Sequence, residues 1–266
     1  MSANNTILIS LSSFGAAEVR RHGQRWFARL AHAAGADGVE VRGELLTDPQ
    51  AELQAIAEEA RKRSLALVYS SPEGLFDAAG GLDAAALDRG LKAAALLGAA
   101  RLKMSIGAYR RASAPALDSL NDSLNGLNVA LLIENDQTAG AGTLAAINAF
   151  FADAAQHGFA PGMTFDMGNW HWTGECPLQS AQALAARVSY VHCKGVQRQP
   201  QRWVAVPLSE SAAPWRAVLR ALPANVPWAI EYPLAGDDLE AVTRAEVAAL
   251  RMLAASFADD LSVREG

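Results

Sequence analysis

Four residues with metal-binding side chains close four successive apolar runs of the chain: Glu134, Asp166, His192 and Glu231. Three carboxylates brought together repel one another unless a cation sits among them. An O3N donor set suits one divalent metal, Mn²⁺, Mg²⁺ or Co²⁺, with Zn²⁺ also able to fit. A lone carboxylate at the end of a strand is ordinarily a helix cap or an ion-pair partner. A set of four on consecutive strands is much harder to reach by chance. Around it stand residues that can read a substrate. Arg42 and Glu40 lie two apart on one strand and share a face, as do Lys103 and Ser105 on another. For Arg42 and Glu40 an internal ion pair is the alternative. Lys194, Arg198 and Arg202 crowd the stretch after His192 and make it basic, which suits a carboxylate or phosphate. Trp170, His171 and Trp172 follow Asp166 and either face a bound ligand or pack over a rim. His22, His32 and His157 fall in helical stretches and read as surface or packing residues, and Cys193 as an inert buried thiol.

Such residues work only if the backbone gathers the ends of those runs. Short β-rich runs alternate with longer Ala-rich helical stretches. Strands are expected at 6–12, 37–42, 64–70, 101–106, 128–134, 162–166, 188–192 and 227–231. Helices are expected at 16–34, 50–63, 83–97, 114–124, 143–157, 178–187, 211–222 and 238–257. Each crossover helix returns the chain to the same end of a parallel sheet. Eight such units in 266 residues imply an α/β fold, a single (β/α)8 TIM barrel domain over 1–266. An open doubly wound sheet is the alternative, and no Gly-x-Gly-x-x-Gly follows the first strand to support its dinucleotide-binding form. In a barrel the site forms at the C-terminal ends of the strands. Alternation then places Leu132, Thr164, Tyr190 and Ala229 in the layer beneath it.

Composition excludes several classes. Hydrophobic residues make up 51% and charged residues 19%, which is no disordered chain. The net charge of −5 argues against a nucleic-acid partner met through a broad basic face. Two cysteines, Cys176 and Cys193, exclude a disulfide framework and a Cys-based zinc site, and a reducing compartment is the simple reading. No run approaches the roughly 20 apolar residues that cross a bilayer, and no basic residue precedes Arg20. A soluble cytoplasmic protein with a small-molecule partner and no membrane partner is expected. The Ala-rich helical exterior permits a homo-oligomer.

The segments 131–135 (LLIEN), 164–168 (TFDMG), 190–194 (YVHCK) and 229–232 (AIEY) resemble the xylose isomerase-like TIM-barrel superfamily of sugar (phosphate) isomerases and epimerases. The resemblance covers nearly the whole chain. A closer likeness is to the epimerase-like proteins of bacterial 2-ketogluconate utilisation operons. It rests on 9–15 (ISLSSFG), 39–42 (VEVR), 134–138 (ENDQT), 163–170 (MTFDMGNW) and 231–238 (EYPLAGDD). The resemblance implies that Glu134, Asp166, His192 and Glu231 hold one divalent metal. It also implies that Glu134 and Glu231 form the catalytic proton-transfer pair, working beside a sugar carbonyl through an enediolate. Arg198 stands where the superfamily's ketose 3-epimerases carry an Arg. Asn169 and Gly140 stand where those enzymes carry a His and a Glu, and His171 lies two residues after Asn169. The expected substrate-binding set is Arg42, Lys103, Asn169, His171, Lys194 and Arg198. The loss of hydroxyl-directed partners and the basic loop point to an acidic sugar such as 2-ketogluconate or its phosphate. The alternatives are a metal-dependent dehydratase or hydroxypyruvate-type isomerase of the same fold, an abasic-site endonuclease-like DNA repair protein, and a sugar-binding barrel without catalysis.

Overall fold

The structure, a computed structural model, describes residues 5–264, of which 258–264 are described as backbone only. Eight parallel strands close into a barrel with helices between them, as the strand–helix alternation predicts. The strands are β1 Ile7–Ser10, β2 Gly38–Arg42, β3 Ala66–Phe76, β4 Arg101–Gly107, β5 Ala130–Glu134, β6 Gly162–Asp166, β7 Val188–Cys193 and, after an inserted hairpin, β10 Trp228–Ile230. Around the barrel they run β1-β10-β7-β6-β5-β4-β3-β2. The hairpin, β8 Gly195–Arg198 and β9 Trp203–Val206, is antiparallel and occupies the basic stretch that the sequence reads as a plain loop.

The helices are α1 Ala16–His22, α2 Gln24–Ala33, α3 Pro49–Arg63, α4 Ala84–Leu97, α5 Ala116–Leu124, α6 Leu144–Gln156, α7 Pro177–Leu184, α8 Trp215–Arg220 and α9 Leu239–Arg264. The helix expected over 16–34 is two helices. Gly23, at φ 78°, lies in the left-handed region and turns the chain between them. Other starts carry side-chain caps: Asp48 accepts from Ala51 N, Asp83 from Ala86 N and Thr143 from Ala146 N. β3 runs six residues beyond its expected end at Ser70. Its register to β4 shifts between Ser70 and Gly74, after which the strand stays paired as far as Phe76 with Gly107.

Both faces of the barrel strands are apolar over most of their length. On β1, for example, Ile7 and Ile9 join the layer between sheet and helices, while Leu8 points inward. The interior holds Leu8, Val68, Leu132, Tyr190 and Ala229 as a separate cluster. Three of the four residues expected beneath the site are in it, and the fourth, Thr164, is fully buried beside Tyr190 in register. Among the described residues no helix is long and apolar enough to cross a membrane.

Candidate metal centre

Glu134 and Asp166 are the last residues of β5 and β6, and His192 is the penultimate residue of β7. Glu231 comes one residue after β10 rather than within it. Each of the four offers one ligand atom, and these atoms all lie within 4.8 Å of one another. An ion bonded at about 2.0–2.6 Å spans about 4–5 Å between opposite ligands, so the cluster fits one divalent cation. His192 Nδ1 lies 2.9 Å from Glu231 Oε2, 3.1 Å from Glu134 Oε1 and 3.7 Å from Asp166 Oδ2. The Asp166 and His192 side chains are sealed, whereas those of Glu134 and Glu231 are 15% and 10% exposed. The two glutamates therefore form the open face of the cluster.

Residues behind the cluster fix its shape. His192 Nε2 is 2.8 Å from Glu40 Oε2, so the imidazole is oriented from β2 with Nδ1 turned to the three carboxylates. The sequence offers Glu40, with Arg42, as a substrate reader or one half of an internal ion pair, and gives no sign of its place behind His192. That pair exists at 3.1 Å, but Glu40 is also fully buried and within 3.2 Å of Lys103. Its signal is an acid between two valines, on the same face of the strand as Arg42. Asp166 is held through its backbone: Asn135 Oδ1 accepts from Asp166 N at 2.9 Å, and Asn135 Nδ2 donates to Asp166 O at 3.0 Å. Asn169 donates from Nδ2 to Asn135 O at 2.9 Å and accepts at Oδ1 from Gln137 Nε2 at 3.0 Å. On the opposite side, the buried Gln24 grips the Arg42 backbone with two hydrogen bonds of 2.8 Å.

Three of the expected substrate-binding cations face the cluster, and each meets its carboxylates. Lys103 Nζ donates to Glu134 Oε1 at 2.8 Å. Arg42 Nη1 donates to Glu231 Oε1 at 2.7 Å, and its Nε to Glu44 at 2.9 Å. Lys194 Nζ lies 2.6 Å from Asp166 Oδ2, 2.8 Å from Glu231 Oε2 and 3.1 Å from Asn169 Oδ1. Burial works against ionisation of Glu231, but His192 and Lys194 outweigh it and hold this carboxyl well below its ordinary range. Burial likewise opposes ionisation of Glu134, where Lys103 and His192 prevail and lower it. At Asp166 burial wins and raises the carboxyl despite Lys194. For His192, burial favours the neutral ring, but Glu231 and Glu40 raise it well above its ordinary value.

The remaining expected residues lie farther out. His171 is half-buried, and its ring sits 4.8 Å from that of Trp203 on β9, where burial lowers its basicity. Arg198, exposed on β8, places its guanidinium 5.3 Å from the Trp203 ring, and Arg202 bonds to Gln199 beside it. No hydrogen bond or ion pair joins either arginine to the four-residue cluster. Trp170 is completely buried against Phe165 and presents no face to a sugar, which settles its choice between sugar and rim packing. Cys193 is buried, and burial pushes its thiol far up.

Solved structures with this architecture include the probable 3-DHS dehydratase AsbF of Bacillus anthracis (15% identity, TM-score 0.69, 92% of this chain and 98% of that one). They include a D-allulose 3-epimerase of Methylomonas sp. solved with D-allulose (16%, 0.66, 94% and 97%). IolI, solved with a zinc atom bound, also matches (12%, 0.67, 96% and 98%). At these identities the likeness is one of fold. Comparison with curated proteins finds no match. The family model described as the xylose isomerase-like TIM barrel matches residues 28–253, and the chain belongs to that family.

Proposed function

We propose that the protein is a divalent-metal-dependent isomerase or epimerase that transfers a proton beside the carbonyl of an acidic sugar such as 2-ketogluconate or its phosphate. The observation that carries this reading is the division within the cluster: Asp166 and His192 are sealed, while Glu134 and Glu231 open to the mouth from different strands. A cation held by the four would supply fixed positive charge beside the carbonyl, where an oxyanion develops. Glu134 and Glu231 are placed to remove a proton from one side of the substrate and return one from the other. Lys103 and His192 beside Glu134, and His192 and Lys194 beside Glu231, hold both glutamates ionised between turnovers. The acidic substrate is supported by cations on both sides of Glu231, Arg42 at 2.7 Å and Lys194 at 2.8 Å. Arg198 on the hairpin is the further candidate contact.

The test is metal analysis of the purified protein, followed by incubation with Mn²⁺ and a panel of acidic and neutral ketoses in D2O. The reading expects deuterium at the carbon beside the carbonyl and a new epimer or isomer, with acidic ketoses preferred. Arg198→Ala should raise KM for the acidic substrate far more than for a neutral analogue. Loss of water without exchange would favour the dehydratase instead. Equal kcat/KM for acidic and neutral ketoses removes the acidic-substrate part.

A further inference from the structure

Lys194 and a divalent ion lay claim to the same oxygens. The ammonium bridges Asp166 Oδ2 and Glu231 Oε2 at 2.6 and 2.8 Å, and both carboxylates belong to the four-residue cluster. An ion bonded to these oxygens at about 2.0–2.6 Å would stand only about 4 Å from the ammonium, where like charges repel strongly in a buried setting. Lys103 makes the contrast. It is 1% exposed and one of its two carboxylates, Glu40, is not in the cluster, so it keeps a partner whatever binds.

Lys194 also borders a cavity, shared with Met167, His171, Ser211 and Trp215. Its stem crosses the bare backbone of Gly168, where a Cβ would come within 2.6 Å of Lys194 Cδ. Its third partner, Asn169 Oδ1 at 3.1 Å, is a neutral acceptor outside the cluster, anchored by Gln137 and Asn135. Asn169 is thus a tether that does not depend on either carboxylate.

We propose that Lys194 is an exchangeable cation: it holds Asp166 and Glu231 together until a divalent metal ion takes their oxygens, and is then displaced, still tethered by Asn169, toward the mouth where an anionic substrate arrives. This rests on the metal-centre reading above. The experiment is footprinting of the whole protein with an amine-acetylating reagent, read by mass spectrometry, with and without saturating Mn²⁺. The chain has four lysines. Lys62 and Lys92 are exposed and serve as internal standards, and Lys103 should stay protected. Labelling of Lys194 should rise severalfold on Mn²⁺ loading. In a second measurement, Lys194→Met should bind Mn²⁺ at least tenfold more tightly than wild type by calorimetry, because a competing positive charge is gone. Mn²⁺ uptake with unchanged Lys194 labelling, or a variant with equal or weaker affinity, overturns the exchange and leaves the metal centre standing. No Mn²⁺ uptake by wild type overturns both.

Discussion

Glu40→Gln separates orientation of the metal ligand from simple charge balance. The glutamine keeps the shape and one acceptor for His192 Nε2, but loses the charge that faces His192 at 2.8 Å, Arg42 at 3.1 Å and Lys103 at 3.2 Å. Breaking a buried pair outright costs about 3–5 kcal/mol. Here neither cation is orphaned, because Lys103 keeps Glu134 and Arg42 keeps Glu231 and Glu44. The expected loss of fold stability is therefore smaller, about 2 kcal/mol. Outer partners of a ligating histidine are typically worth about 10–100-fold in metal affinity, or about 1.4–2.8 kcal/mol. Urea unfolding without added metal measures the first quantity and Mn²⁺ calorimetry the second. Glu44→Gln is the control, since Glu44 pairs with Arg42 from an exposed position and touches neither His192 nor Lys103; it should leave Mn²⁺ affinity within about twofold of wild type. If Glu40→Gln loses stability but binds Mn²⁺ as tightly as wild type, Glu40 only neutralises cations and the orienting role is wrong.

Glu231→Gln should lower turnover at least about 10²-fold with the fold intact, because an amide cannot relay a proton; near-full turnover would leave Glu231 with a structural role alone. On the barrel exterior, hydrogen bonding by Arg29, together with Arg25 and Arg63, lowers Glu59 to about 2 from an ordinary 4.5. A lowered carboxyl stabilises the fold above its unfolded value and loses that contribution as pH falls toward its folded one. Stability should therefore drop between pH 4.5 and about 2 more steeply in wild type than in Glu59→Gln, as followed by melting temperature; parallel curves would count against the cluster. A thiol reagent should modify the exposed Cys176 quickly and Cys193 only after unfolding, and two fast thiols would show that the β7 end opens.

The four-residue cluster was legible because each member ends a β-rich run, and alternation then fixes which neighbours point away from it. The exterior of the barrel was legible for a similar reason: Ala-rich helical runs separate strands of ordinary length. Two kinds of feature were not. The β8–β9 hairpin has strands of only four residues, GVQR and WVAV, too short to show a period, and its pairing is set by cross-strand contacts such as Arg198 with Trp203. The partners of Lys103 and Arg42 could not be read either. Their neighbours in the site are 31 and 189 residues away in the chain: the pairing of β4 with β5 brings Glu134 to Lys103, and barrel closure brings Glu231 to Arg42. Glu40 lies between: its acid in an apolar strand is visible, but its hold on His192, 152 residues on, is a property of the closed sheet.

Barrel closure also divides the labour between the two ends of the gene. The residues that can grip an ion all come from β5 onward, whereas Glu40, Arg42 and Lys103, which orient and counterbalance them, come from β2 and β4. A point change in the early part of the chain can thus alter the charge beside the cluster without touching its four residues. A chimera joining the front half of one relative to the back half of another would keep the four cluster residues and exchange the partners that β2 and β4 set beside them.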